Sequence, residues 1–203
     1  MPELTLVVAS ANVDKAAEIA AILGTVPGLL LVPRPTEVPD VEETGDTLEA
    51  NARLKARALC EATGLAALAD DTGLEVEALG GAPGVYSARF AGEGATYADN
   101  VAKMLAELAK VGVTDAAARR ARFATVAFIA YPDGTELWVE GEVVGTVTPD
   151  ARGDGGFGYD PIFAPDGYDG RTFAQMTPDE KHAVSHRGRA FRALADRLVT
   201  GAS

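Results

Sequence analysis

The stretch that decides the fold class is residues 4–15, which read LTLVVASANVDK. Residues 4–9 form a short apolar run, and such a run indicates a buried β-strand. Beyond the polar residues that follow, Ile19, Ile22 and Leu23 recur at helical spacing before a glycine that can end the helix. A strand that passes directly into a helix predicts an α/β fold.

The same alternation continues along the chain. Residues 29–32 and 65–69 predict two more short strands, with a helix over about 46–63 between them, and the second strand is expected to end at Asp70-Asp71. Residues 123–147 predict a long hairpin around a Pro-Asp-Gly turn. We therefore expect a mixed β-sheet flanked by helices.

Capping signals mark two further helices. Thr96 is followed three residues later by Asp99, a variant capping box. Residues 177–180, TPDE, combine a cap, a proline at the first helical position and a glutamate that can return to the cap. A last helix is expected around Phe191. No internal repeat or long linker divides the chain, so residues 1–203 are interpreted as a single domain.

The composition excludes some classes of function. With 18 basic and 30 acidic residues, the formal charge of −12 disfavours nucleic-acid binding, which needs a broad basic surface. No apolar run is long enough to span a bilayer, and the N-terminus has no secretory signal pattern. Cys60 is the only cysteine, so the expected location is a reducing cytoplasm.

The first candidate site is the junction of strand and helix. The free N–H groups of a first helical turn favour anions, Asn12 can cap the helix, and Lys15 places a positive charge one turn in. A capped surface helix with a solvated lysine explains the same residues. The candidate phosphate-binding residues are Ser10, Ala11, Asn12, Val13, Asp14 and Lys15.

An acidic pair is the second candidate. Asp70-Asp71-Thr72-Gly73 follows a predicted buried strand, and the carboxyl ends of strands are where open α/β sheets bind ligands. Neighbouring carboxylates raise one another's pKa unless a cation lies between them, and magnesium binds carboxylates together with substrate phosphates. A simple turn is the alternative, because Asp, Thr and Gly all favour turns.

A third candidate precedes and enters the second helix. Glu43 lies in an acidic segment, Glu42-Glu43-Thr44-Gly45, and Asn51 and Lys55 lie four residues apart on the helix. That spacing places both side chains on one face, where they could reach one ligand. A solvated helix with an acidic first turn is the alternative.

Two later segments are candidates for binding a planar base. Residues 153–161, GDGGFGYDP, hold Phe157 and Tyr159 on a glycine-rich backbone, as stacking on a base requires, although a structural turn with a buried Phe is the rival. Lys181 precedes residues 185–188, SHRG, where His186 and Arg187 could donate hydrogen bonds to a base carbonyl. A basic helix terminus is the alternative there.

Taken in order, these segments resemble the pyrophosphatases of non-standard purine nucleoside triphosphates, the inosine/xanthosine triphosphate pyrophosphatase family. At residues 10–12 the chain has Ser-Ala-Asn where that family usually has Thr-Gly-Asn, and alanine lacks the backbone freedom of glycine. The matching stretches are Glu43-Thr44-Gly45 with Glu49, Asn51 and Lys55, residues 69–74 (ADDTGL), residues 79–89 (LGGAPGVYSAR), residues 155–161 (GGFGYDP), and Lys181 with residues 185–188.

The resemblance implies an elongated α/β fold with a cleft between two lobes, a homodimer, magnesium dependence, and a nucleoside monophosphate and pyrophosphate as products. It implies that Asp71 accepts a proton and binds the metal, with Glu43 as the second metal carboxylate. The residues that would hold the triphosphate and sugar are Ser10 to Lys15, Lys55, Thr72 and Lys181. Those that would hold the base are Phe157, Gly158, Tyr159, Asp160, His186 and Arg187.

The expected substrates are the triphosphates of inosine, deoxyinosine and xanthosine. Their bases present an acceptor at C6, which donors from His186 and Arg187 would satisfy, whereas adenine presents a donor there. A site with such a requirement can discriminate by roughly 10⁴-fold. Two alternatives stay open: a pyrophosphatase of other modified nucleotides, and a nucleotide-binding regulator without catalysis, which the presence of Glu43, Asp71 and the lysines disfavours.

Overall fold

Strands and helices alternate along the chain in the computed structural model, which describes residues 4–10, 12–113, 115 and 117–200. The strands are β1 (Leu4–Val8), β2 (Leu29–Pro33), β3 (Ala66–Val76), β4 (Pro83–Gly84), β5 (Arg120–Ala130), β6 (Glu136–Val147) and β7 (Phe163–Pro165). The α-helices are α1 (Val13–Leu23), α2 (Leu48–Thr63), α3 (Tyr97–Lys110), α4 (Pro178–Val184) and α5 (His186–Thr200).

The strands form one seven-stranded sheet in the order β2-β1-β3-β5-β6-β7, with β4 paired to β3. β1 runs parallel to both of its neighbours, with Leu6 opposite Leu31 of β2 and Ala66 of β3. β4 is antiparallel to β3, and β7 is antiparallel to β6. The predicted fold class, a mixed sheet flanked by helices, is confirmed.

The predicted helix starts are confirmed by their caps. The side chain of Asn12 accepts a hydrogen bond from the backbone N–H of Lys15 at the start of α1. Thr96 and Asp99 form a reciprocal capping box before α3, and Thr177 forms the same arrangement with Glu180 before α4. Each cap satisfies N–H groups that the first turn of a helix leaves without a backbone partner.

The prediction that the third strand ends at Asp70-Asp71 is wrong. β3 continues through both carboxylates to Val76. Leu74 and Val76 are completely buried, so their burial favours an extended backbone over the turn that Asp, Thr and Gly suggest. The two aspartates therefore lie inside a strand, which determines how their side chains are directed.

The chain divides into two compact units. The first comprises Met1–Asp71, Thr125–Gly141 and Arg187–Ser203, and the second comprises Thr72–Ala124 and Glu142–His186. Two apolar clusters build the first unit: Leu6, Leu68, Ile19 and Phe191 belong to one, and Val7, Ala67, Ala56 and Phe128 to the other. The core of the second unit includes Phe123, Phe163, Phe173, Met104 and Leu108.

These clusters show that α1 and α5 cover one face of the strands in the first unit and that α2 covers the other.

None of the helices in the described part of the chain is both long enough and apolar enough to cross a membrane.

Candidate functional site

Asp70 and Asp71 face opposite sides of the sheet. Consecutive side chains of a strand point to opposite faces, and Ala66 and Leu68 pack with α1 and α5, whereas Ala67 packs with α2. By this alternation Asp70 faces α1 and α5, and Asp71 faces α2. The two carboxylates that are adjacent in sequence therefore build two separate clusters.

The Asp70 cluster consists of Asp70, Lys15, Arg187 and Glu18. Asp70 Oδ2 lies 3.2 Å from Lys15 Nζ and 3.6 Å from Arg187 Nε, and Arg187 Nη1 lies 2.6 Å from Glu18 Oε2. Burial alone would raise the pKa of Asp70, but the charges of Lys15, Arg187 and Lys55 outweigh it, so the pKa lies well below its usual range. Asp70 therefore favours its charged form and pairs with two cations.

The start of α1 brings several predicted phosphate-binding residues together. Ser10 Oγ accepts a hydrogen bond from the N–H of Asn12 at 3.2 Å. Lys15 pairs with Asp70, so the interpretation of a merely solvated lysine does not hold. Val13 is 80% exposed and Asp14 is also exposed, both in the first turn of α1. Ala11 lies outside the described residues.

The Asp71 cluster consists of Asp71, Glu43, Lys55 and Asn51. Lys55 Nζ donates to Asp71 Oδ1 at 2.9 Å and to Glu43 Oε1 at 2.8 Å, so one ammonium bridges the two carboxylates. Burial raises the pKa of Asp71, Lys55 lowers it and Glu43 raises it, and the pKa is raised overall. Burial lowers the pKa of Lys55, but Asp71, Asp70 and Glu43 outweigh this effect and raise it.

The Asp71 cluster fits a divalent cation. Glu43 and Asp71 offer carboxylate oxygens on either side of a positive charge, and magnesium prefers such oxygens. Within the described ranges, no group of three or more His, Cys, Asp or Glu side chains is placed to hold a metal. Two protein carboxylates match the usual magnesium site of enzymes that act on phosphates, in which water and substrate phosphates supply the other ligands.

The Phe157 cluster lies in the second unit and consists of Phe157, Asp160, Lys181 and Tyr97. Asp160 Oδ2 accepts from Lys181 Nζ at 2.7 Å and from the backbone N–H of Phe157 at 2.8 Å. Lys181 Nζ also lies 4.6 Å from the centre of the Phe157 ring. Gly156 has a φ of 69°, and a Cβ there would collide with the Asp160 carboxylate, so the loop needs glycine.

Other residues of the predicted base segment support the loop from inside the second unit. Tyr159 is buried, its hydroxyl donates to the carbonyl of Ser87 at 2.9 Å, and burial raises its pKa. His186 is stacked on Phe123 with ring centres 4.4 Å apart. Gly158 and Thr72 are half-buried, the latter within β3.

Two further residues are placed by their contacts, Arg187 in the first unit and Tyr97 in the second. Arg187, which the sequence grouped with the base segment, contacts Asp70 and Glu18 in the first unit. Tyr97, which the sequence analysis did not single out, lies with its ring centre 5.9 Å from that of Phe157. The sequence feature that could have pointed to Tyr97 is an aromatic residue at the first position of α3, directly after its cap Thr96.

Comparison with known proteins identifies the family of this chain. The model of the Ham1 family matches residues 6–197. The chain belongs to the Ham1 family. The resemblance seen in the sequence motifs is thereby confirmed, because the match covers both acidic segments, the glycine-rich loop and most of the last helix.

Similar proteins share nearly the full length of this Ham1 chain. The dITP/XTP pyrophosphatase of Streptomyces coelicolor is 48% identical over 192 residues, which cover 93% of this chain and 94% of that protein. A solved HAM1 protein of Coxiella burnetii has a TM-score of 0.87 at 41% identity and covers 97% of this chain and 99% of its own. The nucleoside-triphosphatase, dITP/XTP pyrophosphatase of Mycobacterium abscessus has a TM-score of 0.74 at 45% identity, with 94% and 97% covered.

Proposed function

We propose that this Ham1 protein is a hydrolase that converts dITP, ITP and XTP into the nucleoside monophosphate and pyrophosphate, which removes non-standard purine nucleotides from the nucleotide pool. One observation carries the proposal: Lys55 bridges Glu43 and Asp71 in a chain whose full-length relatives include dITP/XTP pyrophosphatases. A buried acid–base cluster of this kind suits attack of water on a phosphorus atom.

In the proposed reaction, a water molecule attacks the α-phosphorus while the carboxylate of Asp71 takes its proton. The bond from the α-phosphorus to the bridging oxygen breaks, and pyrophosphate leaves with the bonding electrons. The raised pKa of Asp71 makes it a stronger base than an exposed aspartate. Lys55 holds Asp71 Oδ1 in place during this step.

Magnesium is the proposed cofactor, held by Glu43 and Asp71. When bound, it would lower the pKa of water and neutralise charge on the phosphate oxygens. The start of α1 suits the phosphates, because the first turn of a helix favours anions and Lys15, which pairs with Asp70, places a positive charge there. Lys55 and Lys181 are the other cations that we assign to the triphosphate and sugar.

The base is assigned to the glycine-rich loop of the second unit. Phe157 is half-buried on a tight backbone, and Lys181 and Asp160 fix its position. We assign the rejection of adenine to hydrogen-bond donors at His186 and Arg187. These donors would pair with the C6 oxygen of hypoxanthine or xanthine, whereas the C6 amino group of adenine is itself a donor and would leave them unpaired.

The test is pyrophosphate release from the triphosphates of inosine, deoxyinosine, xanthosine, adenosine and guanosine, with and without magnesium. We expect rapid release from the first three that requires the metal. Comparable turnover of all five would contradict the selectivity. Preference for a modified pyrimidine would favour a pyrophosphatase of other nucleotides, and nucleotide binding without any turnover would favour a regulator.

We also propose that the protein is a cytoplasmic homodimer. The single cysteine supports the cytoplasmic location. The family resemblance supports the homodimer, and β6 leaves Trp138 and Val144 exposed, as residues of a subunit interface would be in an isolated chain. Sedimentation equilibrium tests the homodimer, and a monomer at micromolar concentration would contradict it. Cell fractionation tests the cytoplasmic location.

A further inference from the structure

Asn51 connects the two carboxylate-bearing segments of the Asp71 cluster. It lies on α2 and is completely buried. Its Oδ1 accepts from the backbone N–H of Gly45 at 2.8 Å, and its Nδ2 donates to Asp71 Oδ2 at 3.4 Å. Gly45 follows Glu43 by two residues, so one amide side chain holds the loop that carries Glu43 and also contacts Asp71.

The loop approaches α2 too closely for any residue but glycine at position 45. A Cβ at that position would lie 2.7 Å from the Cβ of Ala50 and 2.8 Å from Asn51 Oδ1. Real Cβ atoms do not come this close to their neighbours, so glycine and Asn51 complement one another. The loop is therefore docked by a specific pair of residues, Gly45 and Asn51.

The two ends of the amide have different tasks. Its oxygen satisfies a backbone N–H, and its NH₂ group meets the Asp71 oxygen that Lys55 does not contact. Asp71 thus has a donor on each carboxylate oxygen, which restricts rotation of the carboxylate. An aspartate at position 51 would retain the first task and lose the second.

We propose that Asn51 is a positioning residue, which holds Glu43 and Asp71 at the separation and orientation in which both carboxylates meet one divalent cation. This rests on the function proposed above. Residues that orient metal ligands typically change metal affinity or activity by about 10–100-fold when they are replaced. We expect a loss of about tenfold or more for Asn51→Ala.

The first measurement needs neither metal nor turnover. Amide hydrogen exchange of Gly45 is followed by NMR in the wild type, Asn51→Ala and Asn51→Asp. We expect faster exchange in Asn51→Ala and wild-type protection in Asn51→Asp, because only the aspartate keeps the acceptor. Unchanged protection in Asn51→Ala would overturn the docking role.

The second measurement is Mn²⁺ affinity, followed by electron paramagnetic resonance in the presence of the α,β-methylene analogue of inosine triphosphate. We expect weaker Mn²⁺ binding in Asn51→Ala and in Gly45→Ala, which displaces the loop while keeping the amide. The matched control is Asn100→Ala, because Asn100 is also a buried helical amide with two hydrogen bonds, to Ala91 and Ala88. Its Mn²⁺ affinity should equal that of the wild type.

The two proposals fail in different ways. If the wild type releases no pyrophosphate from inosine triphosphate, the proposed function fails, whatever the exchange data show. If the wild type is active but Asn51→Ala keeps its Mn²⁺ affinity and kcat, only the positioning role fails. A loss confined to KM, with Mn²⁺ affinity unchanged, would also overturn the role, because it would place Asn51 with substrate binding.

Discussion

Replacing Lys181 with methionine should strongly destabilise the second unit. Lys181 Nζ and Asp160 Oδ2 lie 2.7 Å apart, and the two side chains are only 6% and 5% exposed. The substitution keeps most of the aliphatic volume but removes the ammonium that faces a buried carboxylate. Breaking a buried pair in this way typically costs about 3–5 kcal/mol.

That cost predicts a large change in the melting temperature. For a chain of 203 residues, 1 kcal/mol corresponds to about 2–4 °C, so Tm should fall by roughly 6–20 °C. The loop should also loosen, because Asp160 holds the N–H of Phe157 and Lys181 lies over its ring. We therefore expect a higher KM for inosine triphosphate in protein that is still folded at the assay temperature.

The assay is urea unfolding of Lys181→Met, Asp160→Asn and the double variant. The sum of the losses in unfolding free energy of the two single variants should exceed the loss in the double variant by about 1 kcal/mol or more, since the side chains are in direct contact. The control is the same substitution at Lys110, which pairs with Glu107 but is 68% exposed, and should cost less than about 1 kcal/mol. Equal effects at the two lysines, or additive single costs, would refute the reasoning.

Four further predictions concern the other residues of the clusters. Asp71→Asn should abolish pyrophosphate release while leaving the fold intact; retained turnover would remove Asp71 from the role of base. The pKa of Asp70 in the folded protein lies below its ordinary value of 3.8, so its charge stabilises the fold above that pH and this contribution is lost as the pH falls further. In Asp70→Asn, the free energy of unfolding should therefore depend less on pH below about pH 4 than in the wild type. Arg187→Ala should cost about 3 kcal/mol of stability by removing the guanidinium that faces Glu18, and should reduce kcat/KM for inosine triphosphate more than for adenosine triphosphate; equal losses would contradict base readout. Tyr97→Ala should raise KM several-fold with little change in kcat, and an unchanged KM would exclude a role beside Phe157.

Local chemistry explains why much of the fold was predictable. Helix starts depend on a few neighbouring residues, so Asn12, Thr96 and Thr177 identified them correctly. The alternation of apolar runs and helical spacing predicted the α/β class in the same way. Residues 43–45, 51 and 55 were recognised as one group, and the structure places Glu43, Asn51 and Lys55 around Asp71.

The remaining features depend on contacts between distant parts of the chain. The residues Asp-Asp-Thr-Gly favour a turn, but the burial of Leu74 and Val76 and the pairing of Leu74 with Gly84 of β4 keep β3 extended beyond them. Arg187 stands next to His186 in sequence, but its partner Glu18 is 169 residues away, so no local pattern could reveal the pair. Tyr97 resembled an ordinary surface residue until the structure brought it to Phe157.

The alternation of Asp70 and Asp71 limits how β3 can vary in length. Deleting or inserting a single residue between Ala66 and Asp70 would turn every later side chain of the strand to the opposite face. Asp70 would then meet the surroundings of Lys55, and Asp71 would meet those of Lys15 and Arg187, so each carboxylate would exchange its partners. Variants of this protein should therefore tolerate substitutions at residues 66–70 far better than the deletion or insertion of a single residue there.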